Sequence, residues 1–374
     1  MGRFENLVND AVRALGQHAI SRSSTSTLTS TLPERDASLL RLNANESVYG
    51  PSPKAVAAMR AAMESSHLYP DDSASALRDR LAQLHAIQPE QILVANGLTA
   101  LLGVIARTCL RPGLNALTSA CSFISYPMVT GAVGARLVQT PLKEGGYDPD
   151  AMLAAIDTDT RVAFIANPNN PTGTLLDASA MDRFLDRVPA HVIVVLDEAY
   201  FDYATYFATQ RGVAYSHSME YVRAQRNVVV LRTFSKAHGL AGLRVGYGMG
   251  PAELMAYFGQ VQDVFAVSGI GQAAALAALD DEAHIRHALR ENAAQAECLE
   301  REVASLGYLV IPTWTNFLSF DVKQDSQDFA HKLRREGILV RPLNAWGAPT
   351  WIRVTLGTAE QNQVFLRALK NVSK

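Results

Sequence analysis

Short apolar runs alternate with stretches of helical spacing through most of this chain. PKAVAAMRAAMESS (53–66) and ASALRDRLAQLH (74–85) place apolar residues at helix spacing. QILVAN (91–96) then reads as a short strand, and LTALLGVIARTCL (98–110) as a helix ended by Pro112 and Gly113. The alternation continues. NALTSA, RLVQTPL, RVAFIANP, HVIVVLDEAY, NVVVLRTF and LRVGYGMG read as strands. SYPMVTGAVGA, DPDAMLAAI, SAMDRFLDRV and a segment from Pro251 read as helices. Wholly apolar strands separated by helices predict an α/β fold with a mostly parallel sheet covered on both faces. The last third changes character. Long helices over 271–305 precede the short strands NFLSFDV, ILVRPL and WIRVTLG, which predicts a smaller α+β domain. SRSSTSTLTSTL (21–32) is a Ser/Thr tract of the kind that forms an arm or linker. The expected division is an arm over 1–38, a large domain over 39–265 and a small domain over 266–374.

Composition narrows the function classes. With 34 Lys+Arg against 36 Asp+Glu the formal net charge is −2, which supports neither nucleic-acid nor membrane binding. No apolar run is long enough to span a bilayer, and MGRFENLVNDAVRAL lacks the apolar core of a signal peptide. Cys109, Cys121 and Cys298 form neither a CxxC pair nor a disulfide framework, so a reduced, cytoplasmic protein is expected. The nine histidines show no clustering of the kind that holds a metal. Gly246, Gly248 and Gly250 do not have dinucleotide-binding spacing.

In open α/β sheets ligands lie beyond the carboxyl ends of the strands, and here those ends are polar. One ends in PNNPTG, one in DEAY, and one in RTFSKAHGLAGLR (232–244). Lys236 is a candidate for a Schiff base with an aldehyde, since a partly buried lysine near cations has a lowered pKa. Asp197 can hold a protonated pyridine nitrogen. Asn170 and Tyr200 can hydrogen-bond a ring hydroxyl. Arg244, Ser235 and Thr233 can bind a phosphate, and NGLTA (96–100) precedes a helix whose first amides suit the same group. Phe123 can stack on an aromatic ring. NPNNPTG is also a turn, and Asp197 on its own reads equally as a cap. Together these groups describe a site for pyridoxal 5′-phosphate (PLP).

LNANE, NGLTA, NPNNPTG, DEAY, TFSKAHGLAGLRVGY, NFLSF and IRVTLGT occur in this order between about residues 39 and 370. In this the chain resembles the fold-type I aminotransferases, and among them the histidinol-phosphate aminotransferases. The resemblance implies the fold-type I PLP-dependent transferase architecture, with a mostly parallel, seven-stranded type of sheet. It implies Lys236, Asp197 and Tyr200 as catalytic residues. Asn170 and Tyr200 would meet the ring hydroxyl, Thr233, Ser235, Arg244 and the amides of Leu98 and Thr99 the phosphate, and Phe123 the ring face. Tyr69, in HLYPDD, would reach the cofactor phosphate of a second subunit in a homodimer. Arg341 and Arg353 would hold the acidic tail of the substrate, with Asn170 beside them. The implied reaction is transamination between histidinol phosphate and 2-oxoglutarate, with glutamate as the second amino compound, in histidine biosynthesis. Two departures from the family pattern stand here, and the first bears on the substrate. No tyrosine precedes Tyr49, where these enzymes carry one that reaches the substrate phosphate, and Thr99 and Ala100 stand in place of an acidic pair. An aromatic amino-acid aminotransferase and a PLP-dependent phospho-amino-acid decarboxylase are the alternatives. A non-enzymatic regulator on this scaffold would need an appended DNA-binding module, for which the first forty residues are too short and too rich in Ser and Thr.

Overall fold

The computed structural model describes residues 8–13 and 39–373, so the Ser/Thr tract at 21–32 lies outside the described residues. After β1 (Leu40–Arg41), helices α1 (Pro53–Met63) and α2 (Ser75–His85) lead into β2 (Ile92–Ala95). Then come α3 (Gly97–Cys109), β3 (Asn115–Ser119), α4 (Ser125–Ala132), β4 (Arg136–Thr140), α5 (Pro149–Ala154), β5 (Thr160–Ala166), α6 (Ala178–Leu185) and β6 (Ile193–Asp197). Helices α7 (Phe201–Arg211) and α8 (Ser218–Arg223) precede β7 (Val228–Thr233) and β8 (Gly246–Met249), followed by α9 (Ala252–Val261) and α10 (Gly269–Leu279). The 24-residue α11 (Glu282–Ser305) opens the last part. It continues through β9 (Leu309–Ile311), β10 (Phe317–Asp321), α12 (Ser326–Arg335), β11 (Ile338–Leu339), β12 (Arg341–Pro342), β13 (Trp351–Thr355) and α13 (Ala359–Val372).

Seven strands form the central sheet in the order β2-β8-β7-β6-β5-β3-β4. All pairings among β3 to β7 are parallel, whereas β8 runs antiparallel to both neighbours. The reason is local. Only twelve residues join β7 to β8, and they contain a single three-residue 3-10 turn at Ala241–Leu243. A parallel return needs a longer crossover, normally with a helix. Every residue of β7 is buried, as are most of β5 and β6, because helices cover both faces. That is why these strands read as continuous apolar runs.

Two large apolar cores and a small cluster around Ala204, Ala208 and Tyr215 follow among the described residues. The first runs from Ala55 to Ala278 and takes in Val267, Ala274 and Ala275, so α10 packs with the large sheet unit, along α1. The second combines Leu42 and the last hundred residues with Tyr200, Tyr203, Phe207 and Ala237 of the large unit. The small four-stranded sheet, β12-β13-β10-β9, therefore closes over the carboxyl ends of the large one. ILVRPL does not form one strand. Ile338 and Leu339 pair with β1, the chain changes partner at buried Val340, and Arg341 and Pro342 pair with β13. This change of partner turns Arg341 toward Asn43.

Candidate active site

A single cleft lies beyond the carboxyl ends of β3, β5, β6 and β7. Leu98, Thr99, Phe123, Asn170, Asp197, Tyr200, Thr233, Ser235, Lys236 and Arg244 all line it. Strand alternation selects among neighbouring charges. Asp197 faces the cleft, whereas the next residue, Glu198, forms a buried ion pair with Arg232 at 2.8 Å on the opposite side.

The amine of Lys236 donates to the backbone oxygen of Asn45 at 3.1 Å. Burial, seconded by the positive charge of Arg353, lowers its pKa from 10.5 to about 8, so roughly a tenth of the amine is uncharged at pH 7, far more than for an ordinary lysine. Asp197 is 4% exposed and accepts from the Tyr126 hydroxyl at 3.1 Å and the Ala199 amide at 3.2 Å. Burial raises its pKa to about 6 against the pull of those hydrogen bonds. No cationic side chain among the described residues forms an ion pair with it. A buried carboxylate of this kind accepts a cationic N–H from a bound group.

Two donors converge opposite. The Oδ1 of Asn170 accepts from Arg353 Nη1 at 2.5 Å, which leaves the Nδ2 hydrogens to face the cleft. Tyr200 accepts from Asn45 Nδ2 at 2.9 Å and keeps its own hydrogen to give, its phenol held neutral by burial with a pKa of about 12. The place between them suits an electron-rich ring oxygen.

At the other end of the cleft, α3 begins at Gly97 with no side-chain bond from its N-cap, Asn96. Its first amides therefore lack helical acceptors. Gly97 has φ 75°, and a methyl group there would lie 2.6 Å from Arg244 Nη2. Arg244 donates to the Ala241 carbonyl at 3.0 Å and to Ser235 Oγ at 3.4 Å, and Thr233 Oγ1 donates to Ser235 Oγ at 3.1 Å. Amides, hydroxyls and a guanidinium thus surround one small concavity, the donor set a phosphate requires. The acid, amine, ring donors and phosphate cradle fit PLP as a group.

Arg341 and Arg353 are not on the cleft wall itself. They stand next to it, both donating to the Asn43 carbonyl, at 3.4 and 3.1 Å. Neither meets a carboxylate among the described residues, and the Nε of Arg353 is buried without a partner. Burial lowers the pKa of Arg353 to about 10. Tyr69 is not brought to the cleft of its own chain. It is 83% exposed and its ring stacks on Phe265 at 4.6 Å.

Three residues at the site escaped the sequence reading. Tyr126 holds Asp197, stacks on Phe164 and abuts Phe123 edge-on. Its signal was its place one helical turn after Phe123. Asn43 and Asn45 lie in LNANE, which contributed to the resemblance, but nothing in that stretch says which side chain turns inward.

The family model for "Aminotransferase class I and II" matches residues 37–369. The chain is 44% identical to "Histidinol-phosphate aminotransferase 2" of Pseudomonas fluorescens (strain Pf0-1), over 90% of this chain and 89% of that one. It is 40% identical to the histidinol-phosphate aminotransferase of Moorella thermoacetica, over 89% and 85% of the two chains. Among solved structures, the histidinol-phosphate aminotransferase from Sinorhizobium meliloti, crystallised in complex with pyridoxal-5′-phosphate, superposes with a TM-score of 0.81 at 29% identity. That match covers 90% of each chain.

Proposed function

The chain belongs to the class I and II aminotransferases, and we propose that it binds PLP and exchanges an amino group between L-histidinol phosphate and 2-oxoglutarate. When bound, PLP supplies an aldehyde that an amine can capture and a pyridine ring that takes up the electrons left at the substrate α-carbon.

The residues divide the remaining work. Lys236, with its pKa near 8, would be the amine that holds the aldehyde. When free, the same amine would take the substrate α-hydrogen as a base and return a proton as an acid. Asp197 accepts the pyridine N–H and keeps that nitrogen charged. Asn170 and Tyr200 would donate to the ring oxygen, and Phe123 would stack against the ring. Thr233, Ser235, Arg244 and the amides of Leu98 and Thr99 hold the cofactor phosphate. Contacts at both ends of the cleft would hold a bound PLP in one orientation relative to Lys236.

The observation that carries the substrate reading is the pair Arg341 and Arg353, two guanidiniums at the cleft without a carboxylate partner among the described residues. Histidinol phosphate has no carboxylate but brings a phosphate dianion, and 2-oxoglutarate brings carboxylates. The same two cations can receive either in turn. We further propose a homodimer working in the cytoplasm. Met63, Leu68, Tyr69, Val264 and Phe265 are large apolar residues that all remain exposed. Such a surface suits a second copy of the chain and puts Tyr69 where it can reach the partner's phosphate cradle. The cysteines are all free, and no helix among the described residues is long and apolar enough to cross a membrane.

A half-reaction tests the substrate. The PLP-loaded enzyme is aminated with L-glutamate, then mixed separately with imidazole acetol phosphate and phenylpyruvate while the visible absorbance of the cofactor is followed. Faster return with imidazole acetol phosphate is expected. Faster return with phenylpyruvate would make it an aromatic aminotransferase. Release of carbon dioxide from a phospho-amino acid, with no amination by glutamate, would make it a decarboxylase.

A further inference from the structure

Asn45 occupies a position that transamination as described above does not use. It is 2% exposed and holds a left-handed backbone, φ 56°. Its amide donates to Thr355 Oγ1 at 2.9 Å, and its carbonyl receives both Lys236 Nζ and Asn316 Nδ2 at 3.1 Å. Its side chain lies between Thr355 and Tyr200.

The direction of each hydrogen bond can be followed along this chain. Thr355 Oγ1 already accepts the Asn45 amide hydrogen, so its own hydrogen turns to the Asn45 side chain, 3.3 Å away. The atom that receives it must be the oxygen, Oδ1. The nitrogen, Nδ2, therefore faces Tyr200 at 2.9 Å. An amide nitrogen donates and does not accept, so the phenol oxygen is the acceptor in that contact. The phenol's only hydrogen is left for the cleft that Tyr200 lines.

We propose that Asn45 is a positioning residue: by donating to the Tyr200 oxygen it points the phenol hydrogen at the ring oxygen of the bound cofactor. The proposal rests on the PLP reading. It also ties the site to the small domain, since Thr355 lies on β13 and Asn316 just before β10. The sequence of donors runs from Thr355 through Asn45 and Tyr200 to the ring oxygen.

The test is a pH titration of the holoenzyme's visible absorbance in a double-mutant cycle with Tyr200→Phe. Asparagine and aspartate both tolerate a left-handed backbone, so Asn45→Asp preserves the shape. A carboxylate there draws the phenol hydrogen away from the ring, and a ring oxygen with one donor fewer keeps its shared proton to higher pH. The titration midpoint is expected to rise by about one unit. In the Tyr200→Phe background the rise should shrink to the through-space effect of the added charge. Equal shifts in both backgrounds would overturn the proposal. Asn45→Ala, which adds no charge, gives the second reading: a smaller rise that vanishes with Tyr200→Phe, against a rise that persists. If the unmutated protein takes up no PLP, the cofactor reading fails, and this proposal fails with it.

Discussion

Asp197 is destabilising until something positive binds to it. Its carboxyl has a pKa of about 6 in the fold against an ordinary 3.8, because burial disfavours the charged form. The folded state thus holds a proton that the unfolded state releases between about pH 4 and 6. The penalty is absent below that window, grows as pH rises through it, and is complete above it. A shift of this size corresponds to about 3 kcal/mol at neutral pH. Asp197→Asn removes the buried charge and keeps an acceptor for Tyr126. The cofactor-free variant should be more stable than the unmutated protein by roughly 1–3 kcal/mol at pH 7.5 and by nothing at pH 4. Thermal unfolding at the two pH values measures this; an equal difference at both would show that Asp197 is not charged and unpaired at neutral pH. The same variant should lose transamination, since the ring nitrogen would lose its counter-charge.

Among the elements, the amino end of α3 depends on one glycine. Gly97 takes a left-handed φ that other residues adopt with strain, and its missing side chain is the space Arg244 occupies. Gly97→Ala should displace the guanidinium from the phosphate cradle. We expect PLP affinity to fall roughly tenfold, with about 1 kcal/mol lost in the cofactor-free protein. A fluorescence titration with PLP and thermal unfolding separate the two effects, and unchanged affinity would remove Arg244 from the cradle. Element boundaries were legible where apolar runs were short and bounded by turn residues, as in β5, β6 and β7. Helix α7 was passed over although Tyr203, Ala204, Phe207 and Ala208 already mark one helical face. Its aromatic, weakly amphipathic sequence is explained by burial beneath the second core rather than against solvent. ILVRPL read as one strand because periodicity cannot tell which neighbour a strand takes; β1, far upstream in the chain, and β13, just downstream, divided it.

For the whole molecule, the decisive question is whether a site is completed by two chains. Lys236→Ala removes the amine from its own cleft, and Tyr69→Phe removes the hydroxyl offered to a neighbour. Each variant alone should be impaired, Lys236→Ala without transamination and Tyr69→Phe with PLP bound roughly tenfold more weakly. Mixed and allowed to exchange subunits, they should regain about a quarter of the intact sites, because only one of the two sites in each hybrid is whole. Activity that simply averages the two parents would place Tyr69 outside the site. The sequence alone determined the α/β rhythm, the order of the polar strand ends and the residue types a PLP site needs, since these depend on short-range periodicity and on chemistry carried by single side chains. Tertiary structure alone decided that ten of those residues face one cleft while Arg232 and Glu198 turn away to pair with each other. It also decided that Arg353 and Arg341 stand beside the cleft without a carboxylate among the described residues, and that Asn45 lies between Thr355 and Tyr200. Burial, the partners of a buried charge and the direction of a hydrogen bond depend on residues hundreds of positions apart, and only the folded chain brings those together.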